Sequence, residues 1–208
     1  MSILKFEIGP LSTNCYLYID DKTGEAVVID PAFPTEKLIE NIKKVNLKYI
    51  LLTHAHADHI MSVSKIKELT SAKTVAHKCE EKRLLGDESN LYEALGCYDM
   101  PYASQNVDVF VDDGDVIEFG TKIITVLHTP GHTDGSVCYM SENFIFCGDT
   151  VFAGSYGRTD FKSGSYSDLI DSFHKLFCLQ GDYLLYPGHQ GSTTLNDERN
   201  FNPLSRYV

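Results

Sequence analysis

A chain of 208 residues with a formal net charge of -11 buries roughly 70% of its unfolded surface if it folds as one domain, so its core needs no staples. The acidic balance excludes nucleic acid and anionic membrane as main partners, since both need clustered Lys or Arg; no apolar run approaches the ~18 residues of a membrane span. Met1 to Lys5 lacks the pattern of a secretory signal, so the expectation is a cytoplasmic protein acting on a small molecule, with six scattered cysteines (Cys15, Cys79, Cys97, Cys138, Cys147 and Cys178) as reduced, mostly buried thiols.

In chain order, Leu4 to Ile8, Cys15 to Ile19 and Ala26 to Ile29 read as short strands, separated by Gly9-Pro10 and by the turn residues from Asp20 to Gly24, and predict an antiparallel meander. Leu38, Ile39 and Ile42 at helical spacing predict a helix from an N-cap at Thr35 to about Lys44. A buried strand, Tyr49 to Leu52, then leads directly into Thr53-His54-Ala55-His56-Ala57-Asp58-His59, and a helix from Ile60 to Leu69 follows.

Beyond it, Val75, Val109, Val116 to Phe119 and Ile123 to Leu127 mark strands, with a helical and loop stretch from Cys79 to about Gln105. Ser136 to Met140 and Phe144 to Cys147 form another strand pair. Ser165 to Phe177 reads as a helix, Tyr183 to Tyr186 as a strand and Asn196 to Phe201 as a terminal helical turn or two. No repeat or low-complexity tract divides the chain, so residues 1–208 are expected to form a single domain of two sheets packed face to face with helices outside.

His54, His56, Asp58 and His59 fall within six residues at the end of a predicted strand, where a rigid scaffold delivers side chains to a loop. Imidazole and carboxylate suit zinc or iron. Alternation points His54 and His56 the same way, while Asp58 and His59, past a bend, serve a neighbouring ion, so the spacing divides between two metals. Three later turns repeat the signature of a ligand type after a strand and beside Gly: His132 in Thr129-Pro130-Gly131-His132, Asp149 in Cys147-Gly148-Asp149, and His189 in Pro187-Gly188-His189.

With these four turns in this order, the chain resembles the metallo-beta-lactamase superfamily, and within it the short glyoxalase II-like hydrolases, from Asn14-Cys15 and Val28-Ile29-Asp30-Pro31 to His189. The resemblance implies an α/β fold, the four-layer alpha-beta/beta-alpha sandwich. It implies one metal held by His54, His56 and His132, a second by Asp58, His59 and His189, and Asp149 bridging. Two divalent ions are expected, zinc foremost, with iron or manganese as alternatives; Asp58 and Asp149 also serve catalysis. Asp30 resembles the carboxylate that orients a ligating imidazole, although an Asp before Pro31 also forms turns. His77 and His174 match no motif and are expected to be structural or surface residues, and His128 lies outside the pattern of ligands.

Two cations about 3.5 to 4 Å apart bring the pKa of a shared water toward ~7 and polarise a carbonyl. A thiolate leaving group binds zinc well, so thioester hydrolysis suits the site, and the resemblance implies an acyl-glutathione-type thioester with lactoylglutathione as the standard substrate. Larger glyoxalase II enzymes carry a C-terminal helical domain that supplies basic residues to glutathione, whereas about 19 residues follow His189 here. The glutathione contacts are thus expected to be absent or differently made. Arg158, in Gly157-Arg158-Thr159-Asp160-Phe161, offers a bidentate hold on a substrate carboxylate, with Tyr156 adding a hydrogen bond. An Arg158–Asp160 pair that merely shapes the loop is the equal alternative.

The same segment occurs in persulfide dioxygenases of the superfamily, which use a single iron to oxidise glutathione persulfide with O2; this is the alternative activity. Other branches fit less well. Flavodiiron proteins have Glu where this chain has Ala57, RNA-processing members need a basic surface, and beta-lactamases commonly lack a His after the Asp.

Overall fold

The apolar alternation of the first thirty residues becomes three antiparallel strands, β1 (Ser2–Ile8), β2 (Thr13–Ile19) and β3 (Glu25–Ile29). The computed structural model describes residues 2–96 and 100–207, so Cys97 lies outside the described residues. After β3 come α1 (Glu36–Ile42), β4 (Asn46–Leu51), α2 (Ala57–Ile60), α3 (Val63–Leu69), β5 (Lys73–His77), α4 (Glu81–Leu84) and β6 (Val109–Val111). Strands β3 to β6 run parallel to one another, and the sheet has the order β1-β2-β3-β4-β5-β6. Thr35 caps α1 as its sequence position predicts: its hydroxyl accepts the Leu38 N–H at 3.3 Å.

The second half holds β7 (Val116–Phe119), β8 (Lys122–His128), β9 (Val137–Ser141), β10 (Phe144–Gly148), the hairpin β11 (Val151–Phe152) and β12 (Ser155–Tyr156), α5 (Tyr166–Phe177), β13 (Leu184–Pro187), β14 (Thr193–Thr194) and α6 (Leu195–Phe201). Its six-stranded sheet is ordered β14-β13-β10-β9-β8-β7. Because β8, β9 and β10 are successively antiparallel while β13 is parallel to β10, strands β8, β10 and β13 all end on one edge.

Side-chain alternation sorts the apolar residues into three layers of packing. Tyr16, Tyr18, Val27 and Ile29 face Phe119, Val126, Tyr139 and Phe146 between the two sheets. Their neighbours Leu17, Val28 and Ile50 turn the other way, onto Leu38 and Ile42 of α1 and Val63 and Ile66 of α3. On the far side Cys138, Ile145, Cys147 and Leu185 meet Leu169, Phe173 and Leu176 of α5 and Leu195 of α6. Strands covered on both faces carry near-continuous apolar runs, and the result is the expected helix, sheet, sheet, helix sandwich.

Three details differ from the pattern reading. The helix expected from Ile60 to Leu69 is broken at Met61-Ser62, because the Ser62 N–H bonds the Pro31 carbonyl at 2.9 Å and ties the chain after α2 to the end of β3. The two-residue strands β11, β12 and β14 are too short to show any periodicity. Of the five described cysteines, all free, Cys15, Cys138 and Cys147 are buried, Cys79 is half-buried and Cys178 is exposed. Among the described residues, no helix is long and apolar enough to cross a membrane.

Candidate metal centre

The loop after β4 delivers His54 and His56, and α2 begins immediately behind them with His56 in the extended conformation of its N-cap. Asp58 and His59 stand in the single turn of α2, while His132, Asp149 and His189 follow β8, β10 and β13. The two sheets meet at this edge: the Val137 N–H bonds the Thr53 carbonyl at 2.8 Å, and the Asn14 N–H bonds that of Gly188 at 2.7 Å. All seven side chains predicted as ligands therefore come together. One nitrogen each of His54, His56 and His132 lie within 4.8 Å of one another, and the same holds for one ligand atom each of Asp58, His59 and His189.

Close backbone approach depends on two glycines. A Cβ at Gly188 would meet Asp149 Oδ1 and sit 2.7 Å from His59 Cε1, and one at Gly148, where φ is +47°, would strike the Thr53 side chain.

Hydrogen bonds on the outer nitrogens fix which nitrogen of each imidazole faces inward. His59 Nδ1 donates to Asp30 Oδ2 at 3.1 Å, His132 Nδ1 to the Arg158 carbonyl at 2.8 Å, and His189 Nδ1 to the Leu11 carbonyl at 3.1 Å. Thr53 Oγ1 donates to Asp30 Oδ2 at 2.6 Å, which leaves it to accept from His54 Nδ1 at 3.2 Å. Each of these four rings thus turns its Nε2 inward. His56 instead places Nδ1 2.9 Å from His132 Nε2.

The donors fit a cation. His54 Nε2, His59 Nε2 and Asp149 Oδ1 are buried without a hydrogen-bond partner among the described residues, a cost that a native fold seldom leaves uncompensated. Asp149 Oδ2 lies 3.6 Å from His132 Nε2 and 3.5 Å from His189 Nε2, and its Oδ1 lies 3.5 Å from His59 Nε2, so one carboxylate faces both groups.

Electrostatically the two groups differ. Burial first, then the neighbouring imidazoles, hold His54 and His56 well below the ordinary histidine range, so both present lone pairs. Burial also works against charge on His59, yet Asp58, Asp149 and Asp30 push it up to about 10. Burial would raise Asp58, but His59 and His189 hold its carboxyl far below the usual carboxylate range. A cation entering the second group must therefore displace a proton.

Asp30 supports both groups. Its backbone takes φ +47°, a left-handed conformation uncommon for a non-glycine residue, and its carboxylate accepts from Thr53 N at 2.8 Å, Thr53 Oγ1 and His59 Nδ1. Asp30→Asn replaces one of the two accepting oxygens with a donor among these three donors. We expect zinc affinity at both groups to fall by about 10- to 100-fold, read by competition with a chromophoric chelator; wild-type affinity in this variant would remove Asp30 from the support of the site.

Five of the seven predicted ligands, His56, Asp58, His132, Asp149 and His189, floor an open cleft of about 490 Å³ whose walls include Leu11, Leu95, Phe152, Tyr156, Arg158 and Phe161. Both predicted substrate residues line it. Arg158 pairs bidentately with Asp160, at 2.6 Å for each bond, and stacks 4.0 Å over the Phe161 ring. The loop-shaping pair is thus present, and Arg158 also lines the cleft. His77 is buried and stacked on His128 at 4.2 Å, away from the seven ligands, and His174 is exposed.

Sequence reading missed Thr13, whose hydroxyl donates to Asp58 Oδ2 at 3.0 Å. It also missed Glu80, buried beneath the loop. Thr13 carries no local signal, and Glu80 lies in a stretch read only as helix and loop.

A family model for the metallo-beta-lactamase superfamily matches residues 8–189. The hydroxyacylglutathione hydrolase GloC of Haemophilus influenzae is 32% identical over 214 residues, covering 96% of this chain and 97% of that protein. The human mitochondrial persulfide dioxygenase ETHE1 is 34% identical over 212 residues, covering 97% of this chain and 75% of that protein. Among solved structures, the BLEG-1 B3 metallo-beta-lactamase superposes with a TM-score of 0.89 at 33% identity, covering 97% of this chain and 98% of that one.

Proposed function

The chain belongs to the metallo-beta-lactamase superfamily, and from that premise we propose that it is a hydrolase holding two divalent cations, zinc foremost, that cleaves an acyl-glutathione-type thioester. The observation that carries this reading is the Asp149 carboxylate, one oxygen of which faces His132 of one group and His189 of the other at 3.6 and 3.5 Å. His54, His56 and His132 would hold one ion, Asp58, His59 and His189 the other, and Asp149 both. When bound, such ions acidify water and polarise a carbonyl.

The chain's own residues then have distinct work. Asp58, ionised and held by Thr13 Oγ1, supplies negative charge that needs no further proton loss. Asp149 Oδ1, without a hydrogen-bond partner among the described residues, is free to hold a cation or to accept from a water in the site. Phe161, 5.8 Å from His56 and edge-on to it, lines the cleft beside the three-histidine group and would shield a bound substrate from solvent there. Arg158 offers its outer N–H groups to a substrate carboxylate, with Tyr156 beside it. A small molecule acted on in the cytoplasm, with no nucleic acid or membrane as partner, accords with the charge of -11.

A second reading, oxidation of glutathione persulfide at a single iron, draws support from the 34% identity to the human persulfide dioxygenase. The second group, Asp58, His59 and His189, supplies the ligands of the second ion on which the hydrolase reading depends. Metal analysis of protein purified without added metal, followed by assays on S-lactoylglutathione and on glutathione persulfide with O2, separates them. About two zincs per chain with thioester cleavage is the expected result; one iron with O2 consumption establishes the second reading instead.

A further inference from the structure

Glu80, the last residue of the 3-10 turn Lys78–Glu80 that precedes α4, is fully buried although it bears a carboxylate. Its two oxygens go to two different loops. Oε2 accepts the N–H of Ala55, the residue between His54 and His56, at 2.9 Å. Oε1 accepts the hydroxyl of Thr133, next to His132, at 2.6 Å. Nothing larger than hydrogen is tolerated on the near side: a Cβ on Gly135 would lie 2.6 Å from Oε1 and 2.8 Å from Cγ.

The charge is balanced by Arg83, one turn on and itself buried, whose Nη1 lies 3.0 Å from Glu80 Oε2. Arg83 Nη2 in turn donates to Asp134 Oδ1 at 2.7 Å and to Ser163 Oγ, in the loop that continues from Arg158 and Phe161 along the cleft. A buried ion pair is weak evidence for stability, because desolvation offsets much of the attraction. This one spends its hydrogen bonds on the loops that carry the three histidines, and those loops extend from different sheets.

We propose that Glu80, braced by Arg83, is a positioning residue that sets the separation of the His54–His56 loop from the His132 turn and thereby tunes the cation affinity of the three-histidine group. The proposal rests on the two-cation reading above. The hydrogen bonds of Glu80 go to Ala55 and Thr133 beside the three histidines and not to Asp58, His59 or His189, so its effect should fall chiefly on one of the two groups, whereas a residue that merely stabilised the fold would affect both alike.

The test compares Glu80→Gln, which keeps the volume but exchanges one acceptor for a donor and removes the charge, in two full-length backgrounds. His189→Ala leaves the three-histidine group intact, and His132→Ala leaves the other. Zinc alone is titrated against a chelator, with thermal unfolding of the metal-free proteins in parallel. Glu80→Gln should weaken zinc by about 10- to 100-fold in the His189→Ala background and leave it unchanged in the His132→Ala background. Thr133→Val, which removes one arm and spares the ion pair, should change affinity in the same direction, and it decides the matter if Glu80→Gln does not fold. Equal weakening in both backgrounds, or none in either, overturns the proposal. If the unsubstituted chain binds no zinc, the two-cation reading fails with it; if that chain binds zinc and the variants bind equally well, this inference alone fails.

Discussion

Asp149→Ala should reduce bound zinc from two ions per chain to one or fewer, and hydrolysis should fall with it to the background rate. Asp149 reaches ligand atoms of both groups, so truncating it strips a donor from each at once and removes a negative charge beside both. Loss of a supporting partner behind a ligand costs about 10- to 100-fold, and loss of a shared ligand should exceed that at the weaker group. Asp149→Asn is the informative companion: it keeps the shape and one acceptor oxygen but removes the negative charge. We expect it to retain one zinc and little activity. Two tightly bound zincs in Asp149→Ala, by elemental analysis after dialysis against chelator, would contradict a shared role for this carboxylate.

Zinc should also raise the melting temperature substantially. The ligands are contributed by both halves of the sandwich, so the unfolded chain cannot match the native site, and a ligand that binds only the native state at 1,000 times its Kd stabilises by about 4 kcal/mol. For a chain of this size each kcal/mol shifts the midpoint by about 2–4 °C, so a rise of about 8–16 °C per saturated site is expected. Calorimetry with zinc and with excess chelator reads it, independently of any substrate. A midpoint unmoved by chelator would mean that the groups bind no cation, and the proposed function would fall. His54→Ala should reduce the zinc-dependent part of the shift, read as the difference between the midpoints with zinc and with chelator, and should also lower the metal-free midpoint, because the buried ring gives up its hydrogen bond to Thr53 Oγ1 and leaves a cavity.

Much of this was legible beforehand, for reasons that are local. The strands of the meander carry their period on their faces, and Thr35 announces α1 by its own hydroxyl. The His54 to His59 cluster and the turns at His132, Asp149 and His189 are spelled in consecutive letters because each loop must turn tightly at a strand end. What escaped was whatever depends on contact between distant segments. Ser62 interrupts the helix because Pro31 is waiting for its N–H. Glu80 reaches Ala55 and Thr133 across intervals of 25 and 53 residues, and no pattern within its own turn announces either bond. Of the two readings of Arg158, the ion pair with Asp160 is present, and the residue also lines the cleft, where the proposed hold on a substrate carboxylate would act.

The seam at Thr53–Val137 and Asn14–Gly188 has a bearing on how the molecule is put together. Four candidate ligands, His54, His56, Asp58 and His59, precede the first strand of the second sheet, and three, His132, Asp149 and His189, follow it. Neither sheet carries a complete set for either ion. A cation held there would act as a bolt through two plates, so loading it would report that both halves have formed and docked in register, and a chain caught half-assembled would have nowhere to keep it.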